Sequence, residues 1–282
     1  MSEAKVLAQA RIGKIAYTNT LPFYHGLTEG DETSAIREGY PAQINQWIQN
    51  GEIDIAPISS LEYGLHPEKY YLLPNLSIAS RHYSGSVLLF SKFGMAKLNR
   101  KKISLSQESL SSQALLKILL SKLYHFENSF VVGSSAPQQM LADSDACLAI
   151  GDSALFYEAK EFVFKYDLGY LWHEWTQKPF CFSVWAVRKN FYEQNQEEVY
   201  AFSEKLRQTT TNNLQDLKTL ISTGLNFPPH SHKFTTVFSY LSQLIYDLNE
   251  PVKDGLCHFY ALAAEAGFIR EVPELKFIPE KL

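Results

Sequence analysis

Neutral polar side chains fall repeatedly where this chain turns from strand to helix, the place where α/β proteins most readily meet a small ligand. Asn19 lies in the turn Thr18-Asn19-Thr20-Leu21-Pro22 at the end of the first strand. An amide donates to oxygen but is no useful base near neutral pH, so its chemistry is to orient or polarise; taken alone, it reads first as a turn asparagine bonding its own backbone. Ser86 opens an apolar extended run, from which its hydroxyl can reach a cleft. The segment Ser109-Leu110-Ser111-Ser112 precedes an apolar helix, where hydroxyls and free N–H groups suit an anion as well as they suit ordinary capping. Ser59 and Ser60, between a strand and a helix, have the same double reading. Asp152 reads first as the cap of the helix through Ala154, Leu155 and Tyr157, and serves a ligand too if it faces a cleft.

Familiar catalytic patterns are missing: there is no Ser-His-Asp order, HExxH, Walker loop or Rossmann glycine fingerprint. His230 and His232 stand in a Pro-rich loop with no cysteine or carboxylate pair nearby, so neither a metal nor a cofactor is expected. With 26 Lys and Arg against 30 Asp and Glu, the net charge of −4 gives no general pull toward nucleic acid. The short basic run Asn99-Arg100-Lys101-Lys102 reads as a solvated turn before a strand. No apolar stretch has the length of a membrane span, and the apolar run in the first ten residues is too short for a signal peptide. Cys147, Cys181 and Cys257 are odd in number and far apart, which suits reduced thiols. The expectation is a cytoplasmic protein with a small-molecule partner and no membrane or nucleic-acid partner, its oligomeric state left open.

The elements that must hold these residues alternate. Strands are expected at 11–17, near Thr33 to Arg37, and at 54–59, with helices opening at Pro22 and Pro41 and after Ser60, which caps the third. Such alternation implies parallel pairing. Strands at 76–80 and 86–90 follow, and then a fresh α/β block: strand 103–105, an apolar helix from Leu110 to Tyr124, strand 130–132, helix 137–141 and strand 146–150. A second extended apolar stretch, 180–187, is followed by helices only, at about 191–206, 214–223, 234–248 and 252–267. Two chain crossings around an inserted block describe an α/β protein of two lobes. Residues 1–90 and 184–282 form one lobe and 91–183 the other, with a ligand cleft and a hinge between them.

Several stretches in order resemble the chorismate dehydratase family of the menaquinone (futalosine) route. They are Arg11-Ile12-Gly13-Lys14-Ile15-Ala16-Tyr17-Thr18-Asn19-Thr20-Leu21-Pro22, Gly51 to Tyr63, Ser84-Gly85-Ser86-Val87-Leu88-Leu89-Phe90-Ser91, Ile150-Gly151-Asp152-Ser153-Ala154-Leu155, Tyr166 to Thr176, and Asp254 to Gly267. The resemblance implies a periplasmic-binding-protein-like (type II) fold and loss of water from chorismate to give 3-[(1-carboxyvinyl)oxy]benzoate. On it, Asn19 and Ser86 become candidate catalytic residues, and Thr20, Ser59, Ser60, Ser111, Ser112 and Asp152 candidate substrate ligands. The chain departs from the family pattern twice: Leu110-Ser111 stands where Arg-Thr is expected, and Ser153 where a second aspartate is expected.

Aromatisation drives such an elimination, but hydroxide leaves poorly and the ring C–H is only modestly acidic, so a base and a donor to the leaving oxygen both help. With no evident protein base, the side-chain carboxylate of chorismate itself is the expected proton acceptor. Two other readings remain: the sister enzyme that forms a dihydroxynaphthoate, disfavoured because Gly151-Asp152 stands where that family has His-Glu, and a non-enzymatic binder of an aromatic acid.

Overall fold

The computed structural model describes residues 10–27, 35–134, 136–158 and 164–279. In chain order the first elements are β1 (Arg11–Ile15), a 3-10 turn (Thr18–Thr20), α1 (Leu21–Tyr24), β2 (Ala35–Gly39), α2 (Pro41–Gln49), β3 (Ile55–Ser59), α3 (Ser60–Leu65) and β4 (Tyr70–Ser80). Next come β5 (Val87–Ser91), β6 (Lys102–Ser106), α4 (Leu110–Ile118), β7 (Ser129–Gly133), α5 (Pro137–Asp143), β8 (Ala146–Ile150), α6 (Gly151–Leu155), β9 (Phe164–Asp167) and α7 (Leu168–Thr176). The chain ends with β10 (Phe180–Arg188), α8 (Lys189–Gln194), α9 (Gln196–Gln215), α10 (Leu217–Gly224), α11 (His232–Leu241), β11 (Leu244–Ile245) and α12 (Glu250–Glu265).

Two sheets result, one in the order β11-β4-β10-β3-β1-β2 and one in the order β7-β6-β8-β5-β9. The alternation at the start of each block yields parallel pairs, β1 with β2 and β3, and β6 with β7 and β8. The strands that adjoin the crossings run antiparallel: β10 to β3 and β4, and β5 to β8 and β9. β3, β5 and β8 are buried along their whole length, as near-continuous apolar runs require.

The strand expected to open at Ser86 lies inside the second sheet, so the chain passes from the first sheet to the second at 81–86 and returns at 177–179. One apolar cluster joins the sheets: Leu115 and Leu119 beside α4's end and Trp172 of α7 pack with Tyr63, Phe180 and Phe259. A second lies under α9, where Val199 and Leu206 meet Phe23, Ile55 and Trp185.

Several expectations need correction. Thr33 and Ser34, placed in the second strand, lie outside the described residues, and β2 runs on to Gly39. Ser59, not Ser60, caps α3: its backbone is extended and its Oγ accepts from Glu62 N at 3.3 Å, which leaves Ser60 as the first helical residue. Asp152 caps nothing; Ile150 holds the cap position of α6, and Asp152 turns to another partner. The helical tail is broken differently from the expectation. α11 stops at Leu241, because Leu244 and Ile245 pair with Ser80 and Ala79 on β4 as a short edge strand. β9 and α7 were not expected; Asp167 accepts from Gly169 N and Tyr170 N to start the helix. Among the described residues no helix is long and apolar enough to cross a membrane.

Candidate active site

Between the two sheets lies a cavity lined by residues from both. Strand ends from both sheets supply its wall. From the first come Tyr17 and Asn19 after β1, Ser59 at the end of β3, and Phe182 and Ser183 on β10. From the second come Ser84 and Ser86 before β5, Ser109 and Ser112 around the start of α4, and Gly151 after β8. Tyr240 of α11 and Leu244 close one side. The register of β10 on β4 shifts between Cys181 and Ser183, and such a bulge re-aims a side chain; Phe182 there gives the cavity an aromatic wall.

Of the expected residues, Asn19, Ser59, Ser86 and Ser112 share this cavity. Thr20 does not line it: its buried hydroxyl donates to the carbonyls of Ile15 and Tyr17 at 2.8 and 2.9 Å and holds the turn that carries Asn19. Ser60 and Ser111 are also off the wall. Ser60 Oγ donates to Cys181 O at 2.8 Å and so accepts from Ser111 Oγ at 3.0 Å, while Ser111 Oγ accepts from Leu61 N at 2.9 Å. This pair ties α3 to α4, one sheet's helix to the other's. Asp152 accepts from Thr18 N and Thr18 Oγ1, both at 3.0 Å, and likewise bridges the two halves.

Burial raises the Asp152 carboxyl above its ordinary value, and the two bonds from Thr18 work against that rise. Tyr17 makes a further bridge, its hydroxyl donating to Glu108 Oε2 at 2.6 Å; burial first and Glu108 second push its phenol upward. Its ring rests on Gly151, whose φ of +61° and missing Cβ let it approach: a Cβ there would stand 2.5 Å from the ring.

The hydrogen-bond directions show what the wall can offer. Ser59 Oγ accepts from Asn45 Nδ2 at 2.9 Å and from Glu62 N, so among the described residues its own proton is unused. Ser112 Oγ accepts from Ser109 Oγ at 3.0 Å and is left with a free proton in the same way. Asn19 Oδ1 is buried and meets no donor. Ser86 Oγ lies 2.7 Å from Tyr240 Oη. None of the residues around the cavity carries a formal charge; it is a site of hydroxyl and amide groups beside the first turn of a nine-residue helix. Leu110 packs on the core, and Ser153 Oγ turns back to Ile150 O at 2.8 Å. Among the described residues no group of three His, Cys, Asp or Glu could hold a metal ion.

Tyr17, Ser84, Phe182, Ser183 and Tyr240 are wall residues that sequence reasoning did not single out. Tyr17 adjoins the turn already suspected, and its place at a strand end was a usable signal. Tyr240 sits within an apolar helical pattern and carried none.

A family described as menaquinone biosynthesis matches residues 10–265. A chorismate dehydratase from Thermus thermophilus is 31% identical over 202 residues, which span 63% of this chain and 69% of that protein. Among solved structures, protein AF1704 from Archaeoglobus fulgidus superposes with a TM-score of 0.71 at 19% identity, covering 93% of this chain and 98% of that one. The periplasmic aliphatic sulphonate binding protein SsuA from Escherichia coli gives 0.62 at 14% identity, with 95% of each chain covered. The fold is therefore periplasmic-binding-protein-like, and the chain belongs to the menaquinone biosynthesis family and is a relative of the chorismate dehydratases.

Proposed function

We propose that the protein is a chorismate dehydratase, a hydro-lyase that removes water from chorismate to give 3-[(1-carboxyvinyl)oxy]benzoate. The observation that carries this reading, beside the relationship itself, is the single neutral cavity in which Asn19, Ser59, Ser86 and Ser112 meet from both sheets. A ligand with two carboxylates must be met by directed donors. The free protons of Ser59 and Ser112 and the first N–H groups of α4 supply them without a cation.

In this reading the two sheets act as lobes that close on the substrate. Residues up to the crossing at 81–86, together with those from β10 onward, form one lobe, and the inserted block forms the other. Thr20, Ser60, Ser111 and Asp152 take the role of holding the closed cleft together, through the turn at Asn19 and the bridges between lobes. The carboxylates nearest the wall, Glu108 and Asp152, are engaged by Tyr17 and Thr18. That favours the substrate's own side-chain carboxylate as base. The C–H electron pair becomes the new ring double bond, the C–O pair leaves with the oxygen, and that oxygen takes up the proton to depart as water. Asn19 and Ser86 orient and polarise the leaving hydroxyl. A cytoplasmic location suits three free thiols.

The test is to mix purified protein with chorismate and follow the products chromatographically. Stoichiometric appearance of the aromatic enol ether is expected; binding without conversion would make the protein a sensor or carrier.

A further inference from the structure

Tyr240 comes from α11, far along the chain from the turns that supply the rest of the wall, yet its side chain lines the same cavity. The residue is 4% exposed, and its ring packs on Gly85, where a Cβ would stand 2.8 Å away and where φ is +70°. Gly85 belongs to the first crossing, whose backbone is fixed by Asp167: the Oδ1 and Oδ2 atoms accept from Ser84 N and Gly85 N at 2.9 and 2.8 Å. The phenol is thus held against a rigid segment and next to Ser86.

The Tyr240 hydroxyl lies 2.7 Å from Ser86 Oγ, and Asn19 lines the same cavity. A phenol has one proton. Given to Ser86 Oγ, that proton leaves the Ser86 proton free to turn toward the cavity that both residues line. Burial raises the Tyr240 phenol above its ordinary range, which keeps it protonated and able to donate.

We infer that Tyr240 is a positioning residue for the elimination: its phenol donates to Ser86 Oγ, a relay that aims the Ser86 O–H at the departing oxygen. The inference rests on the dehydratase reading. No covalent bond to the protein forms; Tyr240 and Ser86 keep their protons, and the relay acts by orienting a hydrogen bond before the C–O bond breaks.

The experiment compares the wild type, Tyr240→Phe, Ser86→Ala and the double variant in enzyme-excess single turnovers, which keep slow variants measurable, and in steady state. Tyr240→Phe keeps the ring on Gly85 and is expected to melt within a few degrees of the wild type. Its kcat should fall by about tenfold with KM changed less than about twofold. In the Ser86→Ala background the same change should cost nothing further, because residues acting as one unit are not additive. An equal loss in both backgrounds would mark a packing role, and a wild-type rate for Tyr240→Phe would show no role; either overturns the relay while leaving the dehydratase reading intact. A wild type that leaves chorismate unchanged overturns both.

Discussion

The contact between Tyr17 and Gly151 offers a way to perturb the closed cleft without touching any hydroxyl of the wall. Replacing Gly151 by alanine has two separable costs. The backbone sits at φ +61°, and a side chain there costs about 1–2 kcal/mol in any folded form, open or closed. The added methyl would also stand 2.5 Å from the Tyr17 ring, which belongs to the opposite lobe. Overpacking of that kind costs about 1–3 kcal/mol, and it falls only on the form in which the lobes meet. The first cost lowers thermal stability by about 2–6 °C for a chain of this size. The second weakens closure by about 5- to 150-fold, which should appear as a higher KM for chorismate. Calorimetry reads the first effect and steady-state kinetics the second. Combining Gly151→Ala with Tyr17→Ala should give less than the product of the two separate KM increases, since the clash has lost its partner. A Gly151→Ala protein that melts lower but keeps the wild-type KM and kcat would refute the idea that Tyr17 and Gly151 must meet for binding.

Other outcomes follow from the same geometry. Asn19→Ala and Ser86→Ala should each fold normally, by circular dichroism, and turn over chorismate at least about tenfold more slowly. Asp54 is buried, which by itself would raise its carboxyl, but bonds from Arg11 and Arg188 prevail and lower it. A lowered folded value means stabilisation that is present above the ordinary aspartate range and lost as pH falls through the folded value. Asp54→Asn should therefore cost about 3 kcal/mol near neutral pH, and less as the solution is acidified below about pH 4, in urea titrations at several pH values. Burial pushes the Cys147 and Cys181 thiols up to about 12, so a thiol reagent at pH 8 should modify only the half-buried Cys257 in the native protein and all three after denaturation.

The strands most legible in the sequence are those buried on both faces. β8 begins and ends where its apolar run does, and β10 extends one residue beyond it. The edges were not legible: β9 is half exposed and four residues long, and β11 has two residues, so neither builds a pattern against its neighbours. Ser59 and Ser60 show a finer limit, because two adjacent serines satisfy the same capping rule and only the backbone angle decides between them. Asn19, Ser59, Ser86 and Ser112 could be suspected because each sits at a strand end or helix start. What Asp152 does could not be read locally, since its partner Thr18 is 134 residues away. Tyr240 shows the same limit: its bond to Ser86 spans 154 residues.

A crystal structure of the Ser86→Ala variant soaked with chorismate tests the shared site most directly. The ring should lie in the cavity between the sheets, with its hydroxyl within hydrogen-bonding distance of Asn19 and its carboxylates on the free hydroxyls of Ser59 and Ser112. Chorismate bound at another surface, with only water between Asn19 and Ser112 at saturating ligand, would contradict it.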